Sequence, residues 1–220
     1  MFGDVASANV VGYAQSDLDH FTIATPQFVE VGNTAQFDIT SIKPIGAGDG
    51  QVILNTLDGE GYGVGSYGWW DWGGSDIGWS DGAWFIDKGV VLFDASTSFW
   101  IQNESGSIIP LQSSGQVGQD AVTFPLMHFT VVGNPFPVAD KLNDIVPLNA
   151  ADGQVILNTL DSEGYGVDSY GWWDWGGSDI GWSDGAWFID DTIVANPGQA
   201  YWVQNEGGDG ISLFIPAPEL

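Results

Sequence analysis

Apolar and polar positions alternate over short stretches of this chain, and the three-to-four-residue spacing of an amphipathic helix is almost absent. Phe21–Thr25, Gln36–Thr40, Gln51–Leu57, Ala83–Asp87, Val90–Phe93 and Ser98–Asn103 are rich in β-branched and aromatic residues and bounded by turn formers, so each predicts a strand. The second half repeats the series and closes with Ala200–Asn205 and Ile211–Ile215. Glycine and proline fall between these runs rather than inside them, which cuts the chain into short pieces. One short helix per half is expected, at Val138–Ile145 and in the region from Asp38 to Ile42.

The pattern repeats because the sequence does. Asp49 to Asp87 aligns with Asp152 to Asp190 without a gap and differs only where Gly59 becomes Ser162 and Gly65 becomes Asp168. The flanks match more loosely: His20-Phe-Thr-Ile23 returns as His128-Phe-Thr-Val131, and Phe99-Trp-Ile-Gln-Asn-Glu104 as Tyr201-Trp-Val-Gln-Asn-Glu206. The expectation is an all-β protein made of two homologous antiparallel β-sandwich or small-barrel units in tandem, 1–113 and 114–220, each of a length usual for a compact domain.

Two short motifs bracket the aromatic middle of the second half: Thr130-Val-Val-Gly-Asn-Pro-Phe-Pro137 and Asn196-Pro-Gly-Gln-Ala-Tyr-Trp-Val203. In this the chain resembles repeats of secreted, surface-displayed bacterial all-β proteins, where a Val-Gly-Asn-Pro-Phe/Tyr turn and a Pro-Gly-Gln-Ala-Phe/Tyr-Trp-Val strand flank a variable aromatic stretch. The first half departs from the pattern, with Ala24-Thr-Pro-Gln-Phe28 and Ala95-Ser-Thr-Ser-Phe-Trp100 in the corresponding places. The resemblance implies export, a bacterial cell-surface or extracellular location and a β-fold, and it implies no catalytic residues.

Charge narrows the partners. The chain has 29 acidic residues against three lysines (Lys43, Lys88, Lys141) and no arginine, a formal charge of -26. Phosphate binding needs clustered cations, so nucleic acid is set aside, and an anionic membrane surface is disfavoured for the same reason. With 44% hydrophobic residues the chain has the means to build cores, so the acidity belongs on the surface, where it repels like copies and attracts cations. Cysteine is absent, and no apolar run is long enough to span a bilayer. Ala6-Ser7-Ala8 has the small-residue character of the end of a secretory leader, and export is the expectation.

All twelve tryptophans lie within the repeat. Trp84, Trp100, Trp187 and Trp202 sit in apolar stretches and read as core. Trp69, Trp70, Trp72 and Trp79, with Trp172, Trp173, Trp175 and Trp182, sit among Gly and Asp and are the candidates for rings left at the surface, to be covered by another subunit or stacked on by sugar rings. In a strand, Trp70 and Trp72 share one face while Trp69 and Asp71 take the other.

Acidic residues accompany the rings. Asp71, Asp76 and Asp81, and Asp174, Asp179 and Asp184, recur every five residues between glycines, preceded by Asp58 and Glu60 or by Asp161 and Glu163. Hard cations want several oxygens on a sharply turning backbone, so these are the candidate calcium ligands; solvated carboxylates in surface turns are the competing reading. His20 and His128 occupy matching places before strands and read as structural, and Asn103-Glu-Ser105 matches the N-glycosylation pattern by chance. No activated nucleophile is in sight, and a repeated patch suits binding better than catalysis. The expectation is a non-enzymatic, extracellular structural protein that self-assembles into a homopolymer (filament, tube or surface layer) through tryptophan-rich contacts aided by calcium, with exposed strands such as Val5–Tyr13 or Ile211–Ile215 as a further route. The alternative is a tandem carbohydrate-binding module stacking glycans on exposed tryptophan.

Overall fold

The computed structural model describes residues 11–18, 21–24, 37–58, 62–93, 99–116, 120–136, 138–160, 165–196 and 199–217. Within them the chain is nearly all antiparallel β. The first half contributes β1 (Val11–Leu18), β2 (Phe21–Ala24), β3 (Phe37–Asp38), β4 (Ile42–Pro44), β5 (Val52–Leu57), β6 (Gly63–Asp71), β7 (Ile77–Ser80), β8 (Leu92–Phe93), β9 (Phe99–Asn103) and β10 (Ile109–Gln116). The second contributes β11 (Val122–Pro125), β12 (Phe129–Gly133), β13 (Asp140–Lys141), β14 (Val146–Leu148), β15 (Val155–Leu160), β16 (Gly166–Asp174), β17 (Ile180–Ser183), β18 (Val194–Ala195), β19 (Ala200–Asn205) and β20 (Ser212–Ile215).

Pairing follows one plan in both halves. A three-stranded sheet has the order β1-β10-β4, a five-stranded sheet β2-β9-β5-β6-β7, and β3 pairs with β8; the second half gives β11-β20-β14, β12-β19-β15-β16-β17 and β13 with β18. β10 continues past Ser113 and stays in register with β1 up to Gln116.

Burial alternates along the central strands, as a sheet with one covered face requires. Val52 and Leu54 of β5 and Phe99 and Ile101 of β9 point inward, with Leu18, Ile42 and Leu111 of the three-stranded sheet in the same core. Val155, Leu157 and Val203, with Ile145, Leu213 and Ile215, repeat the arrangement.

The expected short helices are single 3-10 turns, Ile39–Ser41 and Leu142–Asp144. The first is capped by Asp38, whose carboxylate accepts from Thr40 N and Thr40 Oγ1 at 2.8 Å and from Gly89 N at 2.5 Å. In the second half Lys141 stands in that place and its ammonium bonds Asp191 at 2.8 Å.

Two sequence expectations fail here for identifiable reasons. Ala83–Asp87 is not a strand. Asp81-Gly82 turns the chain first: Gly82 has φ +94°, the left-handed region that glycine enters freely, and Asp81 N bonds Trp84 O at 3.3 Å, leaving one isolated bridge between Ser80 and Phe85. Nor is Ile211–Ile215 a free edge, because β20 is already hydrogen-bonded to β11 on one side and β14 on the other. Of Val5–Tyr13, the residues before Val11 lie outside those described, and Val11, Gly12 and Tyr13 pair with β10.

The two halves of the bracketing motif meet in space. Gly133 pairs with Ala200, and Asn134, fully buried, donates to Val138 O at 2.7 Å and Ala195 O at 3.0 Å while accepting from Phe136 N at 2.9 Å. The motif is therefore a structural clasp: one buried amide, fully satisfied, ties the turn after β12 to the strand that precedes Asn196.

Candidate functional site

The tryptophan-rich stretch folds into a hairpin at the edge of each five-stranded sheet, β6 with β7 and β16 with β17. Register places Trp69 opposite Trp79 and Trp172 opposite Trp182. Both pairs face inward and meet edge to face, with centroids 5.4 Å apart and planes at 77° and 75°. Expected at the surface, Trp69, Trp79, Trp172 and Trp182 are instead core: Trp79 and Trp182 are at most 1% exposed. The reason is the sheet's position over the three-stranded layer. Trp79 donates its indole N–H to Ile42 O at 2.9 Å and Trp182 to Ile145 O at 2.8 Å, so one ring reaches β4 and the other the residue that enters β14.

The opposite face of the same hairpin carries the exposed rings. Trp70 is half-buried and packs edge to face on Trp72 at 5.9 Å, and Trp72, 65% exposed, does the same on Phe85 at 5.0 Å. Trp173, Trp175 and Phe188 repeat the cluster at 6.0 and 5.1 Å. Glycine makes room for it: a β-carbon on Gly68 would stand 3.0 Å from Trp70 Nε1, so the indole lies over bare backbone. Gly171 and Trp173 repeat this. Beside each corner the tight turn displays a further ring. Trp84 and Trp187, expected in the core, are 80% and 81% exposed, the most exposed large apolar side chains described. Trp100 is half-buried and Trp202 is 41% exposed, on the outward positions of β9 and β19 rather than in the core. The Asp-Gly step before Trp84 was the available signal, because Asp and Gly together announce a turn and remove the following residue from a strand.

Most of the described acidic candidates accept hydrogen bonds close to them in sequence. Asp81 Oδ1 accepts from Ala83 N and Trp84 N, both at 2.9 Å, and Asp184 does the same for Ala186 and Trp187. The Trp84 amide first and the Ala83 amide second hold the Asp81 carboxyl below its ordinary range, and Trp187 and Ala186 do so for Asp184. Asp71 accepts from Gly73 N and Asp174 from Gly176 N at 3.1 Å, Asp58 from Tyr62 N at 2.8 Å, and Asp76 from Ser75 Oγ at 3.3 Å. Asp179 closes its turn through the main chain, its carbonyl accepting from Trp175 N at 2.9 Å. Among the described residues no three acidic or histidine side chains are gathered closely enough to hold a metal ion. Glu60, Asp161 and Glu163 lie outside the described residues.

The remaining sequence candidates resolve simply. His128 Nδ1 lies 3.2 Å from Asn205 O at the start of β12, and His20 is outside the described residues. Asn103 is buried with Nδ2 donating to Leu18 O and Ser107 O at 2.8 and 2.7 Å, so its amide is taken up in the fold rather than presented for glycosylation. No helix among the described residues is long and apolar enough to cross a membrane.

No protein-family model matches the chain, and neither a curated protein nor a solved structure matches it.

Proposed function

We propose that this chain is a non-enzymatic structural protein of the bacterial cell exterior that assembles with copies of itself, using its two aromatic corners as joints. The observation that carries the reading is the duplication of an exposed corner, Trp70-Trp72-Phe85 and Trp173-Trp175-Phe188, with ring distances that agree within 0.1 Å between the halves. Large rings left in water twice over, on a scaffold that buries other tryptophans completely, ask for a cover that the monomer does not supply. A subunit with two equivalent joints meets two neighbours, and a contact whose symmetry does not close builds a filament or sheet. Export rests on the resemblance of the clasp motif to those of surface-displayed repeats. Calcium, in this reading, acts between copies, bridging exposed carboxylates and relieving the repulsion of like-charged surfaces.

Negative-stain microscopy and sedimentation of the full chain test it. Polymers from the wild type that vanish in Trp72→Ala/Trp175→Ala, with the variant still folded, support the reading; a wild type that stays monomeric at all salt and calcium concentrations sinks it.

One observation favours a second reading, a tandem carbohydrate-binding module. Each corner is bordered by the exposed carboxylates of Asp71 and Asp76, or Asp174 and Asp179, which would accept hydrogen bonds from sugar hydroxyls but repel the same rim on another copy. Monomers that bind an array of neutral glycans, and lose binding with Trp72→Ala/Trp175→Ala, would establish it instead.

A further inference from the structure

Resting on the assembly reading, we propose that the contact between copies includes, beside the aromatic corners, a knob in a hole: the indole on the Asp81–Trp84 turn, or on its twin Asp184–Trp187, enters the cleft beside the 3-10 turn of a neighbouring copy's second half.

The knob is built to be presented. Trp84 and Trp187 are four-fifths exposed, yet the backbone that carries them is ordered by a carboxylate gripping two successive amides, so the ring stands out on a fixed base. Little backbone freedom is left for docking to remove, so the ordering cost falls mainly on the side-chain torsions of a single large ring.

The hole lies between β13, the 3-10 turn, β14 and the end of β20. It is a cleft of about 500 Å³, within the range of pockets that take small aromatic groups. Val138, Val146, Phe214 and Pro216 form apolar wall, and Asp144 and Lys141 stand among the polar residues that line it. An indole fits this chemistry in two respects. Its face offers Phe214 an aromatic partner, and its N–H, exposed to water on the turn, finds an acceptor in the solvent-exposed Asp144 carboxylate. In the first half Gln112 occupies the register position of Phe214, since Gln112 pairs with Lys43 next to Leu111–Pro44 as Phe214 pairs with Val146 next to Leu213–Pro147. The apolar wall is thus a property of the second half, while the knob belongs to both. A knob from one copy in a hole on the next is a heterologous contact, and repeated from copy to copy it extends without closing. A second copy is favoured as the occupant because every copy brings two knobs of the right chemistry.

The chain has no cysteine, which makes a crosslinking test unambiguous. Two single variants of the full chain, Ala83→Cys at the knob and Ala217→Cys at the cleft, are mixed under assembling conditions and oxidised, both positions being exposed. The proposal expects 83–217 disulfide dimers in at least tenfold excess over 83–83 dimers. It expects Trp84→Ala/Trp187→Ala, and separately Ala217→Trp, which fills the cleft, to reduce the sedimenting species to the 23.5 kDa chain with unchanged melting temperature. Polymers that crosslink 83 to 83, or that survive both the knob and the cleft variants, overturn the knob-in-hole contact and leave the assembly reading standing. Absence of any polymer from the wild type removes both. A monomer whose cleft takes free indole or a small aromatic amine would make the cleft a ligand site rather than a joint.

Discussion

Trp182 reaches across the core of the second half to place its indole Nε1 2.8 Å from the carbonyl oxygen of Ile145, a bond between the edge hairpin of one sheet and the segment entering the other. Trp79 and Ile42 repeat it at 2.9 Å. Each ring is at most 1% exposed, so neither partner has water to fall back on.

Replacing Trp182 by Phe keeps an aromatic ring but leaves the Ile145 carbonyl buried without this donor. The expected loss is about 1–3 kcal/mol for the orphaned acceptor, with a further contribution from the smaller ring. Urea titration followed by circular dichroism measures it. A midpoint equal to wild type would show that the bond carries no weight. Trp72→Phe, on the outer face, is expected to stay within about 0.5 kcal/mol of wild type.

Asn134→Ala removes three hydrogen bonds at one fully buried position and strands two carbonyls and one amide. A cost on the order of 3 kcal/mol is expected, larger than for any exposed asparagine. Asn134→Asp should be no rescue, because the carboxylate accepts from Phe136 but has no N–H for Val138 and Ala195. Thermal melts of the two variants decide the point.

The pH dependence has two limbs of opposite sign. Asp81 and Asp184 have folded pKa values below their unfolded ones, through the amides they grip, so their contribution is present above the ordinary carboxylate range and is lost as pH falls through the lowered values. Burial pushes the Tyr201 hydroxyl upward, so its contribution is complete below about pH 10, where an unfolded tyrosine ionises, and is lost as pH rises beyond. Melting temperature should therefore fall at both ends. Tyr201→Phe, the residue type of the matching Phe99, should flatten the alkaline limb and leave the acid limb unchanged. An alkaline limb that persists in that variant would assign it to other groups.

Calcium is expected to change assembly and not folding. Among the described turn carboxylates, Asp81 and Asp184 already accept hydrogen bonds from two amides each within their own turns, and Asp71 and Asp174 from one. EDTA should shift the monomer's melting temperature by less than about 1 °C while lowering polymer mass, because the ion acts on the repulsion between copies. A fall of several degrees in EDTA would mean that a cation is held inside the fold.

The all-β character, several strands such as Val52–Leu57 and Phe99–Asn103, the duplication and the face-sharing of Trp70 with Trp72 against Trp69 were legible in the chain, because alternation with period two is a local property of extended backbone. The hairpin β6–β7 itself was not among the expected strands. Which face became the core was not legible. Both faces of this hairpin carry tryptophan, so pattern alone offers no contrast, and the three-stranded sheet lying against one face settled it by covering Trp69 and Trp79. A single β-carbon shows the same limit. Gly65 leaves room for the Tyr67 hydroxyl, 2.8 Å from where that carbon would stand, while Asp168 fills the matching place and Tyr170 is buried. Trp84 stands exposed because Asp81 turned the chain before a strand formed, and the Asp81 and Asp184 carboxylates, two of those expected to hold calcium, cap the turns they sit in. The sequence determined an acidic, duplicated, all-β chain, since composition and short-range periodicity depend on residues close along the backbone. Tertiary structure decided which rings face water and which amides clasp distant strands, since those depend on segments far apart in sequence closing over one another.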